Sequence, residues 1–136
     1  YLKSKLHGIL IDLSLVDNWE NFYKKTFENE HFLKKSLKEI TKLKDYCKSN
    51  NILFVINNIP ELRNLKKYKF KSETKIIENF SEVNGIKFID SFEILKNYQE
   101  ETLWVTKYDS HANDKAHLLI AKFLKKKLFN ELNSLY

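Results

Sequence analysis

Apolar positions recur along this chain with two different periods, and the alternation between them divides it into helices and strands. From Asp17 to about Ser49 the period is helical. Leu33, Leu37, Ile40, Leu43 and Cys47 follow one another at spacings of three and four, on one face, with Phe32 and Tyr46 beside them. Lys34, Lys35, Lys38, Lys42 and Lys48 fall largely off that stripe, and Ser49-Asn50-Asn51 supplies the stop. Ahead of it, Gly8 to Val16 is a short apolar run with β-branched residues that reads as a strand. After it, Ile52-Leu53-Phe54-Val55-Ile56 is apolar without alternation and bounded by Asn on both sides, the pattern of a central strand covered on both faces.

The second half repeats the alternation. Ser72 is placed to cap a helix whose Ile76, Ile77, Phe80 and Val83 share a face, and Asn84-Gly85 ends it. Ile86 to Asp90 reads as a second strand, Phe92 to Tyr98 as a short helix, and Leu103-Trp104-Val105 as extended. A polar loop, Thr106 to Asn113, then leads into a last helix from about Asp114 to Leu132, with Ala116, Leu119, Ile120, Phe123, Leu124 and Leu128 as its buried stripe. There is no repeat and no linker. Strands alternating with helices predict a single α/β domain over residues 1–136, a three-layer α/β/α arrangement with a parallel sheet, Ile52–Ile56 central and the last helix packed across one face.

Composition narrows the class. A chain of 136 residues suits one domain with one core, and 14% aromatic residues with only two Gly and one Pro argue against disorder. No stretch reaches the roughly 18 apolar residues of a membrane span. Cys47 is the single cysteine, so no internal disulfide supports the fold. No secretory signal is visible, which slightly favours the cytoplasm, and a first residue of Tyr instead of Met points to a piece of a longer chain. The net charge of +6 raises the question of nucleic acid, but of the 24 basic residues only Arg63 is an Arg, and the Lys residues are spread among Glu. Readers of bases and phosphates lean on the guanidinium fork, so no nucleic-acid partner is expected.

In open α/β sheets ligands bind beyond the C-terminal ends of the strands. The richest such loop here reads Tyr108-Asp109-Ser110-His111-Ala112-Asn113-Asp114-Lys115-Ala116-His117. A carboxylate two residues from an imidazole can orient it and make it basic. Alone, Asp-x-His is common, and most such pairs are surface or capping residues. Its setting is more specific. An Asp-x-His-x-Asn loop, a following Ala116-His117, and Ile120-Ala121 in a long terminal helix together resemble the last conserved block of the SGNH (GDSL-type) hydrolases. The order of Ile52–Ile56, Ile59-Pro60-Glu61, Gly85 to Asp90 and Leu103 to Val105 is similar as well. The likeness runs over roughly residues 37 to 130.

That resemblance implies a flavodoxin-like sheet and a Ser-His-Asp mechanism, with His111 as general base and Asp109 orienting it. It implies an ester hydrolase or O-acyltransferase whose substrate is a small acyl ester or a glycan, an O-acetyl group on carbohydrate included, and no cofactor. The two-residue spacing is similar to that of SGNH-like polysaccharide O-acetyltransferases, whereas the Pro that commonly follows the His is Ala112 here. The family's Gly-Asp-Ser and Gly-x-Asn-Asp blocks are absent. The expectation is therefore the C-terminal part of a longer catalytic domain, incomplete at its N-terminus, with the nucleophile outside this chain. An incomplete sheet leaves an edge prone to association with a missing segment or a second copy. The alternative is a non-catalytic binding or scaffold module on a degenerate SGNH fold.

The other candidates are structural by pattern. Asp109, His111 and His117 are the types that bind zinc, but His111 and His117 are six apart, so no metal is expected and His117 reads as a packing or capping residue. Ser14 sits mid-strand, Cys47 completes an apolar stripe, and His7 and His31 have no identified partner. Asp90 can cap the helix that starts near Ser91, and Trp104 belongs to the core or to a pocket wall.

Overall fold

The first described helix begins at Asn18, whose side-chain oxygen accepts the Asn21 backbone N–H at 2.8 Å and so caps α1 (Trp19–Glu28). The computed structural model describes residues 18–133 and Leu10. The strand expected at Gly8 to Val16, with Ser14, lies outside them except for Leu10, which is helical. Asn29 divides the helix expected from Asp17 to Ser49. Its N–H closes α1 on the Lys25 carbonyl, and its side-chain oxygen accepts the Phe32 N–H at 3.2 Å to open α2 (Glu30–Ser49). An Asn side chain competes for backbone donors, which favours a cap over a helix interior. Along α2, Leu33, Leu37 and Ile40 are half-buried, Cys47 is buried and Leu43 is exposed. The chain divides into two units, Tyr1–Tyr46 and Cys47–Tyr136, and the second holds the remaining elements.

Two helices end by the same device. After α2, Asn51 adopts a left-handed conformation with φ 53°, its N–H bonds the Lys48 carbonyl, and the Ile52 N–H reaches back to the Cys47 carbonyl at 2.8 Å. After α3 (Lys71–Val83), Gly85 takes φ 64°, with Gly85 N–H on Glu82 and Ile86 N–H on Ser81 at 2.8 Å. Ser72 does not cap α3. The helix starts one residue earlier, and the Ser72 hydroxyl donates to Glu73 instead. The buried side of α3 is also rotated from the expected stripe. Ile77 and Phe80 are half-buried, Ser81 is fully buried and donates to the Ile77 carbonyl, and Val83 stands 86% exposed.

β1 (Val55–Asn58) and β2 (Lys87–Asp90) pair in parallel, in register Val55↔Lys87 to Asn58↔Asp90. The mixed α/β class is thus as expected, but the strand begins three residues after Ile52 and runs into two asparagines. Two things shift it: Ile52 is tied into the α2 terminus, and both asparagine side chains find partners across the ladder. Asn58 Nδ2 donates to Asp90 at 2.9 Å, and Ser91 Oγ donates to Asn57 at 2.7 Å. Nor is β1 covered like a central strand. Among the described residues it pairs only with β2, and its four residues are half-buried.

Asp90 also accepts the Phe92 N–H at 3.0 Å, as a cap for α4 (Phe92–Leu95), which is shorter than the helix expected to Tyr98. The polar loop expected over Thr106 to Asn113 is instead the second half of a hairpin. β3 (Trp104–Thr106) pairs antiparallel with β4 (Asp109–Ala112) around Lys107-Tyr108. Asp109-Ser110-His111-Ala112 holds neither an apolar run nor an apolar alternation, so its own residues carry no strand pattern. The last helix, α5 (Asp114–Asn133), follows directly. Leu62, Leu65, Leu95, Leu103, Ala116 and Ile120 form a buried cluster between α4, α5 and two short 3-10 turns at Leu65–Lys67 and Glu100–Leu103. Trp104, Leu119 and Leu124 pack against it. The stripe expected on the last helix supplies that side of the core.

Gly85 offers a test of the helix stop. A Cβ added there meets no atom within 4 Å, so the cost of Gly85→Ala is conformational alone. The expected loss is about 1–2 kcal/mol in urea unfolding, with Gly85→Asn losing less. Equal stability of wild type and Gly85→Ala would contradict the left-handed assignment.

Candidate active site

The pair singled out by sequence comes together through a local irregularity of β4. Trp104 faces Ala112 and Thr106 faces Asp109, so two β4 residues, Ser110 and His111, stand opposite the single residue Val105. Such a bulge kinks its strand and re-aims side chains. Here Asp109 folds back along its own strand. One carboxylate oxygen accepts the His111 backbone N–H at 3.0 Å and contacts the ring Nδ1 at 2.5 Å. An ionised carboxylate can only accept, so Nδ1 carries a proton and Nε2 is the ring nitrogen left without that partner. The His111 side chain is 90% exposed and that of Asp109 is 45% exposed. Ser110 makes no hydrogen bond to His111 among the described residues, and no other hydroxyl or thiol does.

Asp109 is held below the ordinary carboxyl value of 3.8. The backbone N–H of His111 is the main cause and the hydrogen bond to its ring the second. Both favour the ionised form.

Immediately after the pair, Asn113 fixes the strand to the helix. Its Oδ1 accepts the Ala116 N–H at 3.0 Å, capping α5, while its Nδ2 donates to the carbonyls of Trp104 at 2.9 Å and Thr102 at 3.1 Å. Its own N–H bonds the Leu103 carbonyl at 2.9 Å. All polar atoms of that amide are engaged. An Asn directly before an apolar-periodic segment is a cap signal that the sequence did carry.

Two further groups lie around the hairpin. Trp104 Nε1 donates to the Leu62 carbonyl at 3.2 Å, which ties the loop after β1 to β3. Glu61 and Arg63, on either side of buried Leu62, bond to each other at 2.7 Å. Partial burial pushes the Glu61 carboxyl up, but the hydrogen bonds and charge of Arg63 outweigh it and hold Glu61 below the usual range. The Glu61–Arg63 pair was not anticipated; its one signal was that Arg63 is the single Arg. Tyr68 stacks on Phe92 at 4.7 Å, and burial raises its phenol despite hydrogen bonds to Thr74 and the Glu61 backbone.

The remaining candidates stay apart from this site. His117 is exposed, not packed or capping by its ring, and among the described residues no group of three or more His, Cys, Asp or Glu is arranged to hold a metal. His31 is exposed beside Phe32, and His7 lies outside the described residues. Among the described residues no helix is long and apolar enough to cross a membrane. The chain matches no protein-family model, no curated protein and no solved structure.

Two outcomes check this geometry. Asn113→Ala removes a cap and two donated bonds and is expected to cost about 2–3 kcal/mol in chemical unfolding, whereas Asn113→Asp, which keeps the cap acceptor, recovers about 1 kcal/mol of that. The second concerns acid. A carboxyl lowered by folding adds stability above its unfolded value, and that stability is lost as pH falls below it. Asp109→Asn, which retains an acceptor for the His111 N–H, should therefore show a shallower decline of stability below about pH 4 than wild type. Identical acid-unfolding profiles would mean that the pair does not form in solution.

Proposed function

We propose that this chain carries the base and orienting residues of an SGNH-type ester hydrolase or O-acyltransferase. In this reading the nucleophilic serine comes from outside the chain, and β1 and β2 belong to a three-layer, flavodoxin-like sheet completed elsewhere. The observation that supports it is the Asp109–His111 pair, with Nδ1 engaged and Nε2 left without that partner, at a hairpin seated on the start of α5. In that arrangement Nε2 takes the serine proton as the oxygen attacks the acyl carbon. Asp109 stabilises the imidazolium, which then returns the proton to the departing alcohol. Water or a sugar hydroxyl releases the acyl group.

One observation favours a second reading. An imidazole 90% exposed sits in water, where a carboxylate partner contributes little. A binding or scaffold module on the same fold needs no more than that.

Acetyl ester hydrolysis separates the two. The 136-residue chain alone should not turn over p-nitrophenyl acetate, since without an oxyanion hole roughly 10²–10³ in rate is also missing. The polypeptide extended upstream through a Gly-Asp-Ser segment should be active, and His111→Ala or Asp109→Ala should lower kcat by on the order of 10³-fold or more. Turnover by the short chain that His111→Ala abolishes would place the nucleophile within it, with Ser110 and Ser14 the first to test. Inactivity of both polypeptides leaves the scaffold reading.

A further inference from the structure

We propose that the outer face of α5 is a docking surface for an anionic lipid membrane. Between Lys115 and Phe129 this helix carries five lysines and no acidic residue. Two of the five are used within the fold. Lys127 pairs with Glu93 at 3.1 Å, and Lys115 reaches Thr102 at 3.0 Å. Lys122, Lys125 and Lys126 are exposed and have no ion pair among the described residues. The other helices treat lysine differently. Lys34 pairs with Glu30, Lys42 with Glu39 and Lys75 with Glu78, each within one turn. Among the described residues, Lys122, Lys125 and Lys126 have no such partner within one turn.

The same side carries two large apolar residues. Leu118 is 55% and Phe129 53% exposed, and with Lys122 and Lys125 they fall at i, i+4, i+7 and i+11, on the side opposite buried Ala116 and Ile120. This places Leu118 and Phe129 roughly 16 Å apart along the axis with the cations between them. A phosphodiester backbone would satisfy the lysines but leave both apolar side chains in water. A lipid surface satisfies both, because Leu and Phe enter the acyl boundary while lysine stems lie along it and lift their ammonium groups to the headgroups. The proposal is independent of any esterase activity.

Vesicle co-sedimentation of the 136-residue chain tests it, with phosphatidylcholine alone and with phosphatidylcholine mixed with phosphatidylserine. Binding is expected only to the mixed vesicles. Lys122→Glu with Lys125→Glu should lower it about tenfold or more, and Leu118→Ser with Phe129→Ser several-fold. Lys35→Glu with Lys38→Glu, the same charge change on exposed positions of α2, should leave it unchanged. All six positions are exposed, and circular dichroism confirms that each variant folds. No binding to mixed vesicles overturns the proposal, as does an equal loss in the α2 variant. Binding that survives loss of Leu118 and Phe129 and is matched by duplex DNA overturns it in favour of a general polyanion surface.

Discussion

The hairpin, the start of α5 and the turn before β3 are held in one arrangement by the side-chain amide of Asn113. An amide offers two donors and an acceptor in one plane, and here the donors go to the carbonyls of Thr102 and Trp104 while the acceptor takes the Ala116 N–H. Helix starts leave N–H groups without partners, and a strand followed directly by a helix must also turn its chain within one residue. Asn113 meets both demands at once. It grips the chain at and just before β3 by backbone carbonyls, so this hold does not use the side chains that β3 carries. Trp104 is then free to fill the core with its ring and hold the Leu62 carbonyl with its N–H. The polar end of this unit and its apolar interior are two consequences of one cap.

Asp109 and His111 depend on the same frame but form by a shorter-range cause. An Asp side chain two residues before a backbone N–H can accept it with little conformational cost, and the ring of that same residue then lies within reach. Its hydrogen bonds therefore span only three residues, within the bulge that the pairing of β4 with β3 provides. That explains how it can be so exposed and still well formed, and why its geometry alone does not amount to catalysis. A charge pair in water is worth about 1 kcal/mol at contact and several times more where water is excluded. Whatever covers His111 decides what the pair does.

What was legible in the sequence follows from the range of the interactions involved. The α5 stripe, the Gly85 stop and the Asp90 cap are set by side chains and backbone within a turn or two, and they lie where pattern places them. The parallel pairing of β1 and β2 was also readable, because an intervening helix supplies the crossover. What escaped depended on partners distant in sequence. Asn57 and Asn58 belong to β1 because Ser91 and Asp90 receive them, and β4 is a strand because β3 lies beside it. Neither is visible as hydrophobic alternation. Asn29 is the local exception, since a cap in mid-pattern was masked by the regular apolar stripe on its C-terminal side.

Charge shows the same limit from another side. A net charge of +6 spread over a Lys-rich chain describes an average in which each helix looks alike. Position separates them. Where Glu follows or precedes Lys by three or four residues, the pair neutralises its own surface and contributes a few tenths of a kcal/mol to the helix. Around Lys122, Lys125 and Lys126 those spacings hold Leu, Phe, Ala, Asn and Lys, so these three lysines have no acidic residue within reach on their own helix face. Its position comes instead from Ala116 and Ile120 in the core and from the Asn113 cap. With both its packing and its first turn secured from the inner side, the outer side of α5 is under no structural requirement to be either cationic or apolar. Yet it is both, and in an arrangement that intrahelical pairing would have discharged.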